Sequence, residues 1–212
     1  MGDQTMLRRI LLRALPRGFK DRVKDYVRSN VGVGGGAEEL RYALSRVDPG
    51  ISTIFDIGAN VGDMTFMMLE VFPQATIFAF EPCSPTFQQL RERVMDSPQR
   101  DRVRLFNHGF YSEECTRTLH VTSHHGANSL FGITPEYHEM NPHIQESGAE
   151  DIELVRLDDF VAEQGIAHID LIKIDVEGAE YEVLAGGRRT LQSLVDVVFC
   201  ELSFVCVCPS KS

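Results

Sequence analysis

Five short apolar runs recur along the chain, at Thr53–Ile57, Thr76–Phe80, Val103–Asn107, Asp170–Ile174 and Asp196–Cys200. Helical stretches at Met64–Val71, Pro85–Met95 and Ala179–Leu191 fall between them. Short apolar strands connected through helices pair in parallel and are covered on both faces. The expected fold class is therefore α/β, a Rossmann-like and mostly parallel sheet with helices on both sides. The first unit is the most informative. Ile54-Phe55-Asp56-Ile57 breaks into Gly58-Ala59-Asn60-Val61-Gly62, and an apolar helix follows at once. Strand, glycine turn and helix is the arrangement with which open α/β sheets hold nucleotides.

The rhythm is interrupted between the third and fourth strands. Arg117–Thr122 and Glu153–Leu157 have an antiparallel look, and the polar stretch from Ser123 to Gly148 lies between them. A loop of that length inside a domain is usually functional or disordered. Here it is expected to form a lid or acceptor wall, with Gly126 and Gly132 as hinges.

Residues 1–49 read as a helical extension and residues 50–212 as the main domain. Leu7, Ile10, Leu11, Ala14 and Leu15 make one apolar stripe beside Arg8, Arg9, Arg13, Arg17 and Lys20. A short helix packed on the domain explains this pattern. Peripheral contact of residues 6–20 with an anionic membrane is the functional alternative. The glycines of "VGVGGGAEEL" suggest a flexible connection. They lack the Lys-Ser/Thr that would make them a phosphate loop.

The formal charge of −10 argues against nucleic acid as a partner. Five scattered cysteines with no CxxC pair fit reduced thiols and a cytoplasmic location. No apolar run approaches the roughly 20 residues that span a bilayer. The basic start of the chain lacks the continuous apolar core of a signal peptide.

Which nucleotide the turn serves follows from its glycines. A dinucleotide fingerprint reads G-x-G-x-x-G. Counted from Gly58, the second and third places hold Asn60 and Asp63. Asp56 before the turn suits a ligand with hydroxyls or positive charge better than a pyrophosphate. The second strand ends in Glu81, 25 residues after Asp56. A carboxylate there can accept hydrogen bonds from both ribose hydroxyls. S-adenosyl-L-methionine, an adenosine joined to a sulfonium and an amino acid, meets these demands. The fourth strand then presents Asp175, Glu177 and Glu180 in quick succession.

In chain order the sequence carries "FDIGANVGDMT", "IFAFEPCSPTFQQL", "RLDDF" and "IDLIKIDVEGAEYEVLAGG". Over roughly residues 50–203 this resembles the FkbM family of S-adenosyl-L-methionine-dependent methyltransferases. The resemblance implies that Asp56, Gly58, Asn60 and Gly62 form the first cofactor motif. It places Glu81 and Pro82 at the ribose, and His108 and Gly109 along the adenine. Asp175, Glu177 and Gly178 would face the methyl group, and Asn128-Ser129-Leu130 matches a short family element. The implied reaction is O-methylation of a sugar, lipid or secondary metabolite, with a small-molecule, glycan or lipid acceptor.

An acceptor hydroxyl needs a base. Asp175, Glu177 and His124 are the candidates for catalysis, with His125 beside them. Adjacent histidines on an extended loop point apart, which favours solvent exposure for both. Carboxylates in the first turn of a helix, such as Glu177 and Glu180, also serve the helix dipole. No metal-ligand set is visible. A cofactor-binding module without turnover would keep the same Asp56 and Glu81. The sequence after "VDVVFCEL" differs from the family pattern of a further helix and two strands. A short domain with an exposed fifth strand is thus expected, open to homodimer formation through Val197–Val207. Cys206 and Cys208 fall in that tail.

Overall fold

A computed structural model of the chain describes residues 50–133 and 135–200. The expectations for residues 1–49, for Cys206 and Cys208, and for most of the fifth-strand tail lie outside them. The main sheet has five parallel strands in the order β3-β2-β1-β7-β8. These are β1 (Thr53–Ile57), β2 (Thr76–Phe80), β3 (Val103–Phe106), β7 (Ile169–Ile174) and β8 (Val195–Cys200). Their side chains alternate between two apolar layers. Ile54, Ile77 and Leu171 pack with Met68, Leu69 and Leu90 from α1 (Asp63–Val71) and α2 (Ser84–Met95). Phe55, Ile57, Ile172 and Ile174 face the other way. They meet Leu157, Phe160 and Val161 from α4 (Leu157–Glu163) and Val183 from α5 (Glu180–Gly186). Both faces are buried, so these strands are legible as apolar runs.

The interruption forms a second sheet of three strands in the order β4-β6-β5. These are β4 (Gly109–Phe110), β5 (Cys115–Thr122) and β6 (Glu146–Val155). The expected strand at Glu153–Leu157 is therefore ten residues long and begins at Glu146. Most of its residues are exposed and four of the ten are charged, which removes the apolar signal. Within the expected loop lie a 3₁₀ turn at His125–Ala127 and α3 (Pro135–Met140).

The expected helix at Ala179–Leu191 is two helices, α5 and α6 (Arg188–Ser193). They meet at Gly186-Gly187 because the backbone there touches its neighbours. A Cβ on Gly186 would collide with the Tyr111 carbonyl, and one on Gly187 would meet Leu157 Cδ2 at 2.6 Å. Among the described residues no helix is long and apolar enough to cross a membrane.

Candidate functional site

The strands of the main sheet run the same way, so their carboxyl ends and following loops converge. A cavity of about 250 Å³ opens there. Its floor is the turn after β1, where Gly58 has φ 77° and Asn60 φ 53°. Gly58 also permits a close approach, since a Cβ would collide with the Asp175 carbonyl. Asn60 tolerates the left-handed conformation through its own side chain, whose Oδ1 accepts the Val61 N–H at 2.8 Å.

Glu81, just past β2, lines the cavity and is 7% exposed. Its Oε2 accepts the Asn60 N–H and its Oε1 the Cys83 N–H, each at 2.9 Å. Burial raises its pKa to about 7 and outweighs the two amides and Lys173, which favour the charged form. A carboxylate has about four lone-pair sites. Two therefore remain for a ligand that brings hydroxyl donors.

Sequence reasoning missed Lys173. It stands directly opposite Asp56 across β1 and β7 and is 3% exposed. Its Nζ donates to the Gly58 carbonyl at 2.7 Å and lies 3.2 Å from Asp56 Oδ1 and 3.6 Å from Asp175 Oδ2. Burial opposes its charge, but Asp56, Asp175 and Glu81 together hold its pKa above the ordinary lysine value. The signal was available: a lysine inside the apolar run "IDLIKI" needs a buried anion.

The second sheet supplies the apolar wall that the sequence did not reveal. Phe110, Leu119, Ile152 and Leu154 line the cavity from β4, β5 and β6. Over them lies the segment after β5, with His125, Gly126, Asn128 and Leu130 in the wall. It is fastened at several points. Ser129 Oγ donates to the Glu177 carbonyl at 2.7 Å, and the Thr122 N–H donates to Asn128 Oδ1 at 2.9 Å. Phe131 packs over Gly178.

Of the residues singled out from sequence, Gly58, Asn60, Glu81, Pro82, Gly109, Asp175 and Glu177 line the cavity. Four others stand elsewhere. Asp56 is wholly buried beneath the turn, where Thr65 Oγ1 donates to its Oδ2 at 2.6 Å and Lys173 faces Oδ1. It supports the floor and does not reach the ligand space. Gly62 starts α1 with φ 94°. His108 turns into an aromatic cluster, with ring centroids 5.7 Å from Phe80 and 5.5 Å from Phe160. Burial depresses its pKa, and its Nε2 makes no hydrogen bond within the described structure.

His124 is the fourth. Its ring stacks on His125 at 5.3 Å, and only His125 is in the cavity wall. The two rings do not diverge, because His125 begins the 3₁₀ turn and ends the extended run. Glu180 is buried below the loop, where its Oε1 accepts the Gly178 N–H at 3.0 Å. Glu177 itself holds φ 52°, a costly conformation for a residue that is neither Gly nor Asn.

Among the described residues, one group could offer three metal ligands: His168, Asp170 and Asp196. It lies at the amino ends of β7 and β8, the opposite end of the sheet from the cavity. Its His168 Nε2 lies 3.5 Å from Asp170 Oδ1 and 3.1 Å from Asp196 Oδ2.

These features fit an adenosine-type cofactor. The turn is bare backbone, the buried carboxylate keeps free acceptor sites, and Pro82, Phe110 and Leu154 form an apolar slot beside it. A methyltransferase FkbM domain model matches residues 56–206. The 2-O-methyltransferase NoeI of Sinorhizobium fredii is 32% identical over 154 residues, covering 70% of this chain and 61% of that protein. The 31-O-demethyl-FK506 methyltransferase FkbM of Streptomyces tacrolimicus is 33% identical over 172 residues, covering 69% and 63%. The hexuronic acid methyltransferase AglP of Haloferax volcanii is 28% identical over 145 residues, covering 68% and 54%. The chain thus spans a little under two thirds of the length of such relatives. A solved methyltransferase FkbM from Methylobacillus flagellatus superposes with a TM-score of 0.44 at 15% identity, covering 84% of this chain and 42% of that one.

Proposed function

This chain belongs to the FkbM methyltransferase family, and from that premise we propose that it transfers a methyl group from S-adenosyl-L-methionine to a hydroxyl oxygen of a sugar, lipid or secondary metabolite. The observation that carries the reading is Glu81. A carboxylate buried at the end of β2, bonded only by backbone amides, suits a ligand that arrives with a pair of hydroxyls. The ribose would sit there, and the adenine in the slot beside Pro82, Gly109, Phe110 and Leu154. The reacting end would lie towards Asp175 and Glu177. When bound, the cofactor supplies a methyl carbon already activated by its sulfonium.

The work left to the protein is orientation and one proton. Fixing the acceptor oxygen in line with the methyl carbon accounts for roughly 7–11 kcal/mol of a barrier in favourable cases. Asp175 is engaged by Lys173, so its contribution is electrostatic. His125 takes the acceptor proton in this reading, in place of His124, because its ring reaches the cavity. The names of two relatives specify an oxygen as acceptor and a third a hexuronic acid, which supports a hydroxyl on a sugar-like molecule.

The test is transfer of isotope-labelled methyl to a panel of uronic acids, oligosaccharides and polyketide alcohols. Labelled product from at least one acceptor is expected. His125→Ala should lower its rate about 100-fold, the scale of a lost general base, and His124→Ala less than about fivefold. Equal losses in the two variants would remove His125 from the role.

A further inference from the structure

The network around Lys173 does more than close a turn. One ammonium donates to the Gly58 carbonyl and is ion-paired with Asp56 Oδ1 at 3.2 Å and Asp175 Oδ2 at 3.6 Å, and Asp56 Oδ1 has no hydrogen-bond partner beyond that charge contact. Asp56 is spent, since its other oxygen takes the Thr65 hydroxyl and none of it reaches the cavity. Charge therefore cancels between Lys173 and Asp56. Asp175 is left as the uncompensated anion of the trio, and it lines the cavity. The ammonium cannot swing away without stranding a buried Asp56, so the direction of the Asp175 carboxylate is set before any ligand arrives.

We propose that Lys173 is a positioning residue: by holding Asp56, the Gly58 carbonyl and one oxygen of Asp175 together, it aims the other Asp175 oxygen at the reacting end of the bound ligand and makes the site prefer a cation there. The proposal rests on the methyltransferase reading and deepens it. The reactant carries its positive charge at that end and the demethylated product does not. A preset anion therefore holds the first and releases the second.

The test compares two probes by calorimetry. S-adenosylhomocysteine has a neutral thioether at the reacting end, and sinefungin has a protonated amine on carbon. Wild-type protein should bind the amine at least about tenfold more tightly than the thioether. In the double variant Asp56→Asn with Lys173→Met the buried Lys173–Asp56 ion pair is removed as a unit and the Thr65 bond is kept. Its ratio should fall to within about threefold of unity. Asp175→Asn alone, with Lys173 in place, should lose the preference to the same degree.

A preserved ratio in either variant overturns the proposal. So does loss of both probes together in a folded double variant, since Lys173 would then only hold the turn. Wild-type protein that binds neither probe overturns the methyltransferase reading itself, and that outcome is seen before any variant is made. If the double variant does not fold, Asp175→Asn decides.

Discussion

Glu81 is held in two opposing ways. Burial favours its neutral form, and a ligand donating two hydroxyls favours the anion. Its pKa of about 7 in the folded chain stands against an ordinary value of 4.5. The folded state thus binds the extra proton between those limits. Glu81's contribution to stability is fully present below pH 4.5 and is lost as pH rises through 7, at a cost of about 3 kcal/mol. Glu81→Gln should flatten that part of a pH series of thermal melts, and an unchanged slope would show that another group titrates. Ligand binding should release a proton near pH 7. Calorimetry in two buffers of different ionisation enthalpy reads this directly, and affinity should weaken as pH falls from 7 to 5. Lys173→Met leaves Asp56 buried without its partner. It should cost about 3–5 kcal/mol, a fall in melting temperature of about 10 °C or more. Glu81 and Asp175 were legible in the sequence because they end apolar strands. Lys173 is not legible in the same way, because a single charge inside such a run reads as part of the strand.

At the level of elements, the five parallel strands were readable because burial on both faces makes them continuous apolar runs. Of β6 only the end, from Glu153, was readable, since Glu146, Ser147, Glu150 and Asp151 before it break the apolar signal. α4 was missed for a different reason. "LDDFVAE" is short and carries two aspartates, so it shows no long apolar stripe, yet Asp158 accepts the Thr190 N–H at 2.8 Å and the Arg189 N–H at 3.1 Å, tying α4 to α6. The single helix expected over Ala179–Leu191 is broken by close backbone contacts at its glycines, which propensity does not report. α4 also delivers Phe160 to the centre of the ring cluster, with centroids 5.1 Å from Phe80 and 5.0 Å from Phe106. Phe160→Ala should cost about 3–5 kcal/mol in denaturant titration. A loss under 1 kcal/mol would mean that Phe160 does not hold the cluster together. The covering segment makes a separate prediction. Ser129→Ala removes its bond to the Glu177 carbonyl. It should weaken cofactor binding about fivefold, the equivalent of about 1 kcal/mol, with no change in melting temperature beyond a few degrees.

Over the whole molecule, one pattern recurs. The main sheet supplies bare backbone and fixed charge at its carboxyl ends, and the second sheet brings an apolar wall against them. The charged floor comes from β1, β2 and β7, and the slot from β4, β5 and β6. This division explains why the charged floor of the cavity could be read from motifs. The wall is built by contacts between segments far apart in sequence, such as Gly109 with Leu154. We propose that this cavity holds an adenosine-based methyl donor through Glu81 in preference to a dinucleotide. The most direct measurement is calorimetric titration of the purified chain with S-adenosyl-L-methionine and with NAD, repeated on Glu81→Ala. Saturable binding of the methyl donor is expected, with much weaker binding of NAD and a loss of about tenfold or more in the variant, the equivalent of about 1.4 kcal/mol. Tighter binding of NAD, or a variant that binds the methyl donor as well as wild type does, would contradict it.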